Sequence, residues 1–189
     1  MNEKQMQAIL MNWVMGEKNH QWAAPNLTPL YHWEADLVSS TKAGLLHEYE
    51  IKVSRADFLA DAKKIEKHSD LVHRYLNGSK PRTQPRNDYE RMLIKAGLSI
   101  PTARTPNYFW YAVNGFEVEA REVVDYAGLL RVIWRERCGR HVVEVVRTAP
   151  RLHRGKVEGG DILRVNRWLA YKLKNMYSHH YNGAPDDAS

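Results

Sequence analysis

The 189-residue chain has a single cysteine, Cys138. A lone cysteine closes no internal disulfide and supplies no cysteine-built zinc site. No apolar run approaches the ~20 residues that cross a bilayer. Met1 to Lys18 lacks a charged head followed by an apolar block, so the sequence predicts no secretory signal and a cytoplasmic protein with no membrane partner. There is no internal repeat, no zinc-finger spacing and no helix-turn-helix signature, so nothing predicts base-specific readout.

What is present is an ordinary globular composition with a basic excess. The 28 Lys and Arg outnumber 22 Asp and Glu, for a formal charge of +6. Such an excess favours polyanionic partners, because neutralised phosphates release condensed counterions. The length fits one domain, expected over residues 1–182, with residues 183–189 expected as a disordered tail. Residues 78–106 read as a basic insertion, with six basic residues against Asp88 and Glu90.

Hydrophobic periodicity gives the element order. Met6, Ile9, Leu10, Trp13 and Val14 predict a helix over 3–16, stopped at Gly16. Residues 19–29 suit a short edge strand and a turn. Trp33, Ala35 and Leu37 alternate with Glu34 and Asp36, which predicts a strand over 33–38. A second strand is expected over 45–53, with Tyr49, Ile51 and Val53 on one face and Glu48, Glu50 and Lys52 on the other. Ser54 precedes Asp57 by three residues, a capping-box-like start for a helix over about 55–76. A short helix is expected near 88–96, an aromatic central strand over 107–113, a turn at 125–130, strands at 130–134 and 142–146, and a final basic helix over 161–177. Helix, strands, helix, strands, helix suits an α/β fold: a mixed central β-sheet flanked by helices.

Asp36 and Glu50 fall on the polar faces of two successive strands. Neighbouring strands lie ~4.8 Å apart, so two such carboxylates can share a hard divalent cation, Mg²⁺ or Mn²⁺. Lys52 follows Glu50 by two and faces the same side, where an ammonium can orient or help deprotonate a water and stabilise charge growing on a phosphate. The bland alternative is a solvated strand face with a cross-strand ion pair. Asp57, Asp61, Lys64 and His68 recur at helical spacing, with Lys63 and Lys67 adding positive charge; ion pairs on a solvated helix face compete with phosphate contacts as their explanation. His32, His47, His68 and His73 lack tight metal-ligand spacing on one element. Tyr108 to Tyr111 reads as sheet core rather than a base-stacking platform.

Three sequence blocks carry a resemblance. Glu34-Ala35-Asp36, then Glu50-Ile51-Lys52, then Val53-Ser54-Arg55-Ala56-Asp57-Phe58 are joined downstream by Asn107 to Val113 and Asp125-Tyr126-Ala127-Gly128-Leu129. Together, over roughly residues 33–133, they resemble the PD-(D/E)XK nuclease superfamily, and within it the MmcB-like DNA repair proteins and related phage and bacterial proteins. The resemblance implies a restriction-endonuclease-like core and a metal-dependent DNA nuclease working in repair or phage DNA metabolism. It implies Asp36 and Glu50 as metal ligands, the Ile51 carbonyl as a further ligand and Lys52 as the catalytic lysine. It also implies that a first-helix glutamate, Glu3 or Glu17, can join the metal. The superfamily's proline is replaced here by Ala35, and residues 78–106 match no block. Lys63, Lys64, Arg55, Arg82 and Arg86 are the expected nucleic-acid contacts, with DNA as partner. The sequence leaves the oligomeric state open, a homodimer included. The alternative reading is a catalytically inactive nucleic-acid-binding module on the same fold.

Overall fold

The computed structural model describes residues 1–28, 30–80, 84–85, 88–97 and 104–182. Arg82, Arg86 and the expected tail 183–189 lie outside the described residues, as does part of the 78–106 insertion.

The chain opens with α1 (Glu3–Asn12), nucleated by a reciprocal cap. Asn2 Oδ1 accepts from the Gln5 amide at 2.9 Å, and Gln5 Oε1 accepts from the Asn2 amide at 2.9 Å. The helix does not stop at Gly16. Trp13–Glu17 continue it as a wider π turn, with the Lys18 amide bonded to the Trp13 carbonyl, and Asn19 at φ 56° then turns the chain away.

Six strands follow: β1 (Trp22–Leu27), β2 (Ala35–Ser40), β3 (Leu46–Lys52), β4 (Tyr108–Val113), β5 (Ala127–Arg135) and β6 (Arg140–Arg147). They form one sheet in sequence order. β1, β2 and β3 pair antiparallel, β3, β4 and β5 parallel, and β5 and β6 antiparallel. The fold is thus the expected α/β mixed sheet flanked by helices. The predicted turn at 125–130 is corrected: Ala127 to Leu130 already belong to β5, because a parallel partner of β4 is covered on both faces and reads as a continuous apolar run.

Both faces of the sheet are covered. On one, α1 and its π turn set Met6, Leu10, Trp13 and Val14 against Leu37, Tyr49, Ile51, Trp110, Leu130 and Val132. On the other, Phe58 and Leu71 pack on Phe109, Tyr111, Val113 and Leu129. The aromatic run of β4 is therefore buried on both sides, as sheet core.

Phe58 and Leu71 come from two helices where one was expected. α2 (Arg55–Asp61) starts at Ser54, whose side chain accepts from the Asp57 amide. It ends in i→i−3 bonds from Lys63 to Ala60 and from Lys64 to Asp61. α3 (Ile65–Asn77) restarts after Lys64, which sits at φ −77°, ψ 65°. α4 (Asp88–Lys95) is short. α5 (Gly159–Asn182) closes the chain, longer than expected, and packs Val165, Trp168 and Leu169 over the β1–β2 end of the sheet.

Gly128, on β5 beside Trp110 of β4, has no room for a side chain. A Cβ there would meet the Trp110 ring at 2.4 Å and the Ala149 amide nitrogen at 2.7 Å. Gly128→Ala is expected to destabilise the chain by about 1–3 kcal/mol through overpacking, read as a lower midpoint in urea denaturation at unchanged slope.

Candidate active site

β2 and β3 are in register as Leu37↔Tyr49 and Val38↔Glu48. One step further this pairing sets Asp36 opposite Glu50, on the face that also carries Glu48 and Lys52. The ladder has opened at that point. The Asp36 side chain fills the gap, and its Oδ2 accepts from the Ile51 amide at 2.7 Å. Asp36, Glu50, Ile51 and Lys52 are thus brought together at the carboxyl end of β3. A strand residue's N–H and C=O lie on the same edge, so the Ile51 carbonyl also faces the Asp36 side.

This polar face is not solvated. Glu48, Glu50, Lys52, Asp61 and Lys67 are each at most 4% exposed, because α2 and α3 lie over them. They form a buried charge cluster. Lys52 Nζ lies 2.9 Å from Glu50 Oε1 and 3.2 Å from Asp61 Oδ1. Lys67 Nζ lies 2.6 Å from Glu48 Oε1 and 2.5 Å from Glu50 Oε2. Lys64 Nζ bonds Glu50 Oε1 and lies 2.9 Å from Asp61 Oδ1. The Trp33 indole donates to Glu48 at 3.0 Å, and the Tyr111 hydroxyl donates to Asp61 at 2.7 Å.

The charges set the protonation states. Burial alone would raise Glu50, but the Lys67 and Lys52 ammoniums beside it outweigh that and hold it below its ordinary value. Asp61 is likewise held far below the carboxylate range: burial opposes ionisation, while bonds from His68 and Tyr111 and the Lys52 charge favour it. An ionised Asp61 only accepts, so His68 Nε2, 3.0 Å from Asp61 Oδ2, is the donor. His68 Nδ1 lies 2.6 Å from the Tyr126 hydroxyl. Lys52, Lys64 and Lys67 are all raised: burial works against each ammonium, and the carboxylates around it prevail.

Asp36 is the exception. Burial, then the neighbouring Glu50 charge, push it up to about 7, and the Ile51 amide offsets this only in part. Glu3 on α1 adds a smaller push in the same direction, so of the two first-helix glutamates Glu3 is the one beside Asp36. Gln7 ties the two elements, donating to Glu3 Oε1 at 3.3 Å and to the Asp36 carbonyl at 3.0 Å. Glu17 faces Arg140 instead, at 3.9 Å. Among the described residues, no three His, Cys, Asp or Glu side chains converge tightly enough to cage an ion. Mg²⁺ needs less: it keeps several waters and takes one or two carboxylates. Asp36, whose negative charge no ammonium meets in an ion pair among the described residues, fits that demand as it stands; Glu50 fits it only by giving up a lysine at one of its oxygens.

Of the expected nucleic-acid contacts, Lys64 lies in the cluster, and Lys63 is exposed beside it. Arg55 is turned away, bonded to the Glu117 carbonyl at 2.9 Å and to the Glu122 carboxylate, which it holds down to about 2. Spacing sets Asp57, Asp61, Lys64 and His68 on one helix stripe and gives no sign that Asp61 and Lys67 are buried. Their burial could not be read from spacing, because the helix breaks between them.

No protein-family model and no curated protein matches the chain. A solved structure of a protein of unknown function from Silicibacter pomeroyi is similar over 100% of this chain and 99% of its own, with a TM-score of 0.56 at 15% identity. At that identity the likeness speaks for the fold alone.

Two outcomes are expected. Lys67→Met strands Glu48 in the interior and leaves Glu50 Oε2 without its lysine, and should cost about 3–5 kcal/mol in denaturant unfolding. The Asp36 carboxyl, raised from 3.8 to about 7, binds its proton in the folded chain over a range where the unfolded chain has released it. Its contribution to stability is therefore lost as pH rises from about 4 to about 7 and stays lost above. Asp36→Asn should flatten that slope in melting scans across this window.

Proposed function

We propose that the chain is a divalent-metal-dependent DNA nuclease, with Asp36, Glu50 and Lys52 as its active-site residues. The observation that carries this reading is the meeting of these three side chains on one face at the carboxyl end of β3, with Asp36 left short of positive charge. The sequence blocks that resemble the PD-(D/E)XK superfamily and the basic excess of the chain support it.

Asp36 and Glu50 would hold the ion, with the Ile51 carbonyl at the same edge. When bound, Mg²⁺ or Mn²⁺ supplies Lewis-acid activation of the phosphodiester and of the attacking water. Lys52, kept charged by Glu50 and Asp61, is an electrostatic partner for the phosphate oxygens and an orienting donor to the water. An ammonium so stabilised makes a poor base, so the water's proton leaves to solvent. Asp61 and Lys67 do not reach outward; they fix Lys52 and Glu50 in place. Lys64, half exposed, is the cluster member that can withdraw from Glu50 when the ion arrives.

One observation favours a second reading, a DNA-binding module without hydrolysis. Both Glu50 oxygens are already engaged by lysines, Oε1 by Lys52 and Lys64 and Oε2 by Lys67. Cleavage separates the two. Single-stranded, duplex, nicked, flap and four-way-junction DNA should be incubated with Mg²⁺, Mn²⁺ or EDTA. Metal-dependent cutting is expected, lowered by about 10²-fold or more in Asp36→Asn and Lys52→Ala that keep the wild-type circular dichroism. Folded wild type that binds DNA equally well in EDTA and cuts nothing in either metal would establish the binding module instead.

A further inference from the structure

At the opposite, amino-terminal end of β3 and β4 lies a cavity of about 290 Å³ with basic walls. Arg74 from the end of α3, Arg104 and Thr105 ahead of β4, and His153, Lys156 and Glu158 from the segment after β6 line it. We propose that this cavity is a binding site for a phosphomonoester, separate from the Asp36–Glu50–Lys52 site and independent of the nuclease reading.

Its wall is built rather than incidental. Asn107, almost fully buried, accepts from the Leu46 amide at 2.7 Å and donates to the His153 and Gly155 carbonyls at 3.0 and 2.6 Å. The Leu152 amide bonds the Asn107 carbonyl, and the Val157 amide bonds that of Gly44. Residues 152–157 are thus pinned to the end of the sheet. His153 is spent on this framework, with Nε2 3.0 Å from the Thr105 carbonyl and Nδ1 accepting from the Gly155 amide. Burial, and more weakly the nearby Arg74 and Arg151 charges, lower it and keep it neutral.

Three cations line it. Arg74 is 9% exposed and donates to the Gly78 carbonyl; Arg104 is ion-paired with Asp161; Lys156 stands exposed at the rim with no ion pair among the described residues. Glu158 and the Asp161 carboxylate stand among them, and Lys156 at the open rim is the cation free to meet an anion. The second observation is a hydroxyl. Thr105 is 2% exposed, and its Oγ1 has no hydrogen-bond partner among the described residues. A buried hydroxyl without a partner is costly and rare. One that lines a cavity flanked by two guanidiniums and an ammonium has the donor an anion's oxygen would take. Guanidiniums match the tetrahedral phosphate in geometry as well as charge. The volume sits at the lower edge of small-ligand pockets, ~300–1,000 Å³, which suits a phosphate and a small part of what carries it. Lys64 and Arg74 are ten residues apart at the two ends of α3, so the cavity is about 15 Å from the candidate active site.

Calorimetric titration of the full chain with inorganic phosphate, at fixed ionic strength in chloride, reads the site. Wild type is expected to bind saturably at one site, and Thr105→Val and Lys156→Ala to bind about tenfold more weakly. Thr105→Val should melt at or above the wild-type temperature without phosphate, since it deletes a hydroxyl that makes no bond; its lost affinity is then no folding defect. Absence of saturable binding in wild type, or wild-type affinity in Thr105→Val, overturns the proposal. Two further arms name the source. A 5′-phosphorylated oligonucleotide that outbinds its 5′-hydroxyl twin, with the preference lost in Thr105→Val, assigns the phosphate to a strand end. A nucleoside monophosphate that displaces phosphate while the twins bind alike assigns it to a free nucleotide. DNA cleavage enters none of these readouts, so the two proposals fail separately.

Discussion

The structure depends on a neutral knot of buried charge. Three carboxylates, Glu48, Glu50 and Asp61, meet three ammoniums, Lys52, Lys64 and Lys67, between the sheet and two helices. Taking ions out of water costs several kcal/mol each even after relaxation, and only close pairing with further hydrogen bonds offsets it. The surrounding architecture meets that demand. The break at Ala62–Lys64 separates Asp61, which pairs with Lys52, from Lys67, which reaches Glu48 and Glu50. Tyr111 and His68 supply donors to Asp61, and Trp33 supplies one to Glu48. A hydrophobic cluster of equal volume would hold these layers together at least as well. Charge retained at such cost points to a use for it, and at the Asp36 edge of the knot no ammonium forms an ion pair among the described residues.

Much of this was legible in the sequence. Alternation set β2, β3, β4 and β6 within two residues but missed the first three residues of β5; it placed Glu48, Glu50 and Lys52 on one face, and the unbroken aromatic run identified β4 as central. The pairing of Asp36 with Glu50 followed from two polar faces on successive strands. What spacing does not carry is coverage. Glu48 and Lys67 look like surface residues because charged side chains are almost always exposed, and only their mutual neutralisation lets them be buried. Ala62-Lys63-Lys64 holds neither glycine nor proline, so the break between α2 and α3 has no local signal. Arg55 illustrates the converse. Its motif position suggested a phosphate contact, yet Glu122, 67 residues away in sequence, claims it.

The two ends of α3 mark different kinds of site. At its start, lysines neutralise carboxylates on β3, at the carboxyl end of a strand with a parallel neighbour, where open α/β sheets commonly place their ligands. At its far end Arg74 joins Arg104, Lys156 and the Thr105 hydroxyl around a cavity. The first would recruit a cation, the second an anion. The protein's overall +6 is therefore not what distinguishes them; the groups gathered at each end are.

The same counting bears on the proposed chemistry. The three buried carboxylates and the three ammoniums cancel, so the half-exposed Asp57, 3.4 Å from Lys52, and an ionised Asp36 leave two negative charges at the edge. Solvent screens Asp57 and Glu3, which are exposed, and reduces their share. One divalent cation would balance what is left. The raised Asp36 carboxyl comes first from burial and then from the Glu50 charge beside it: with no cation at hand, a proton near neutral pH takes the position. On this reading the lysines cancel the three buried carboxylates, so that the charge left over is small enough for one metal to close, and only the half-exposed Lys64 competes with the ion at Glu50.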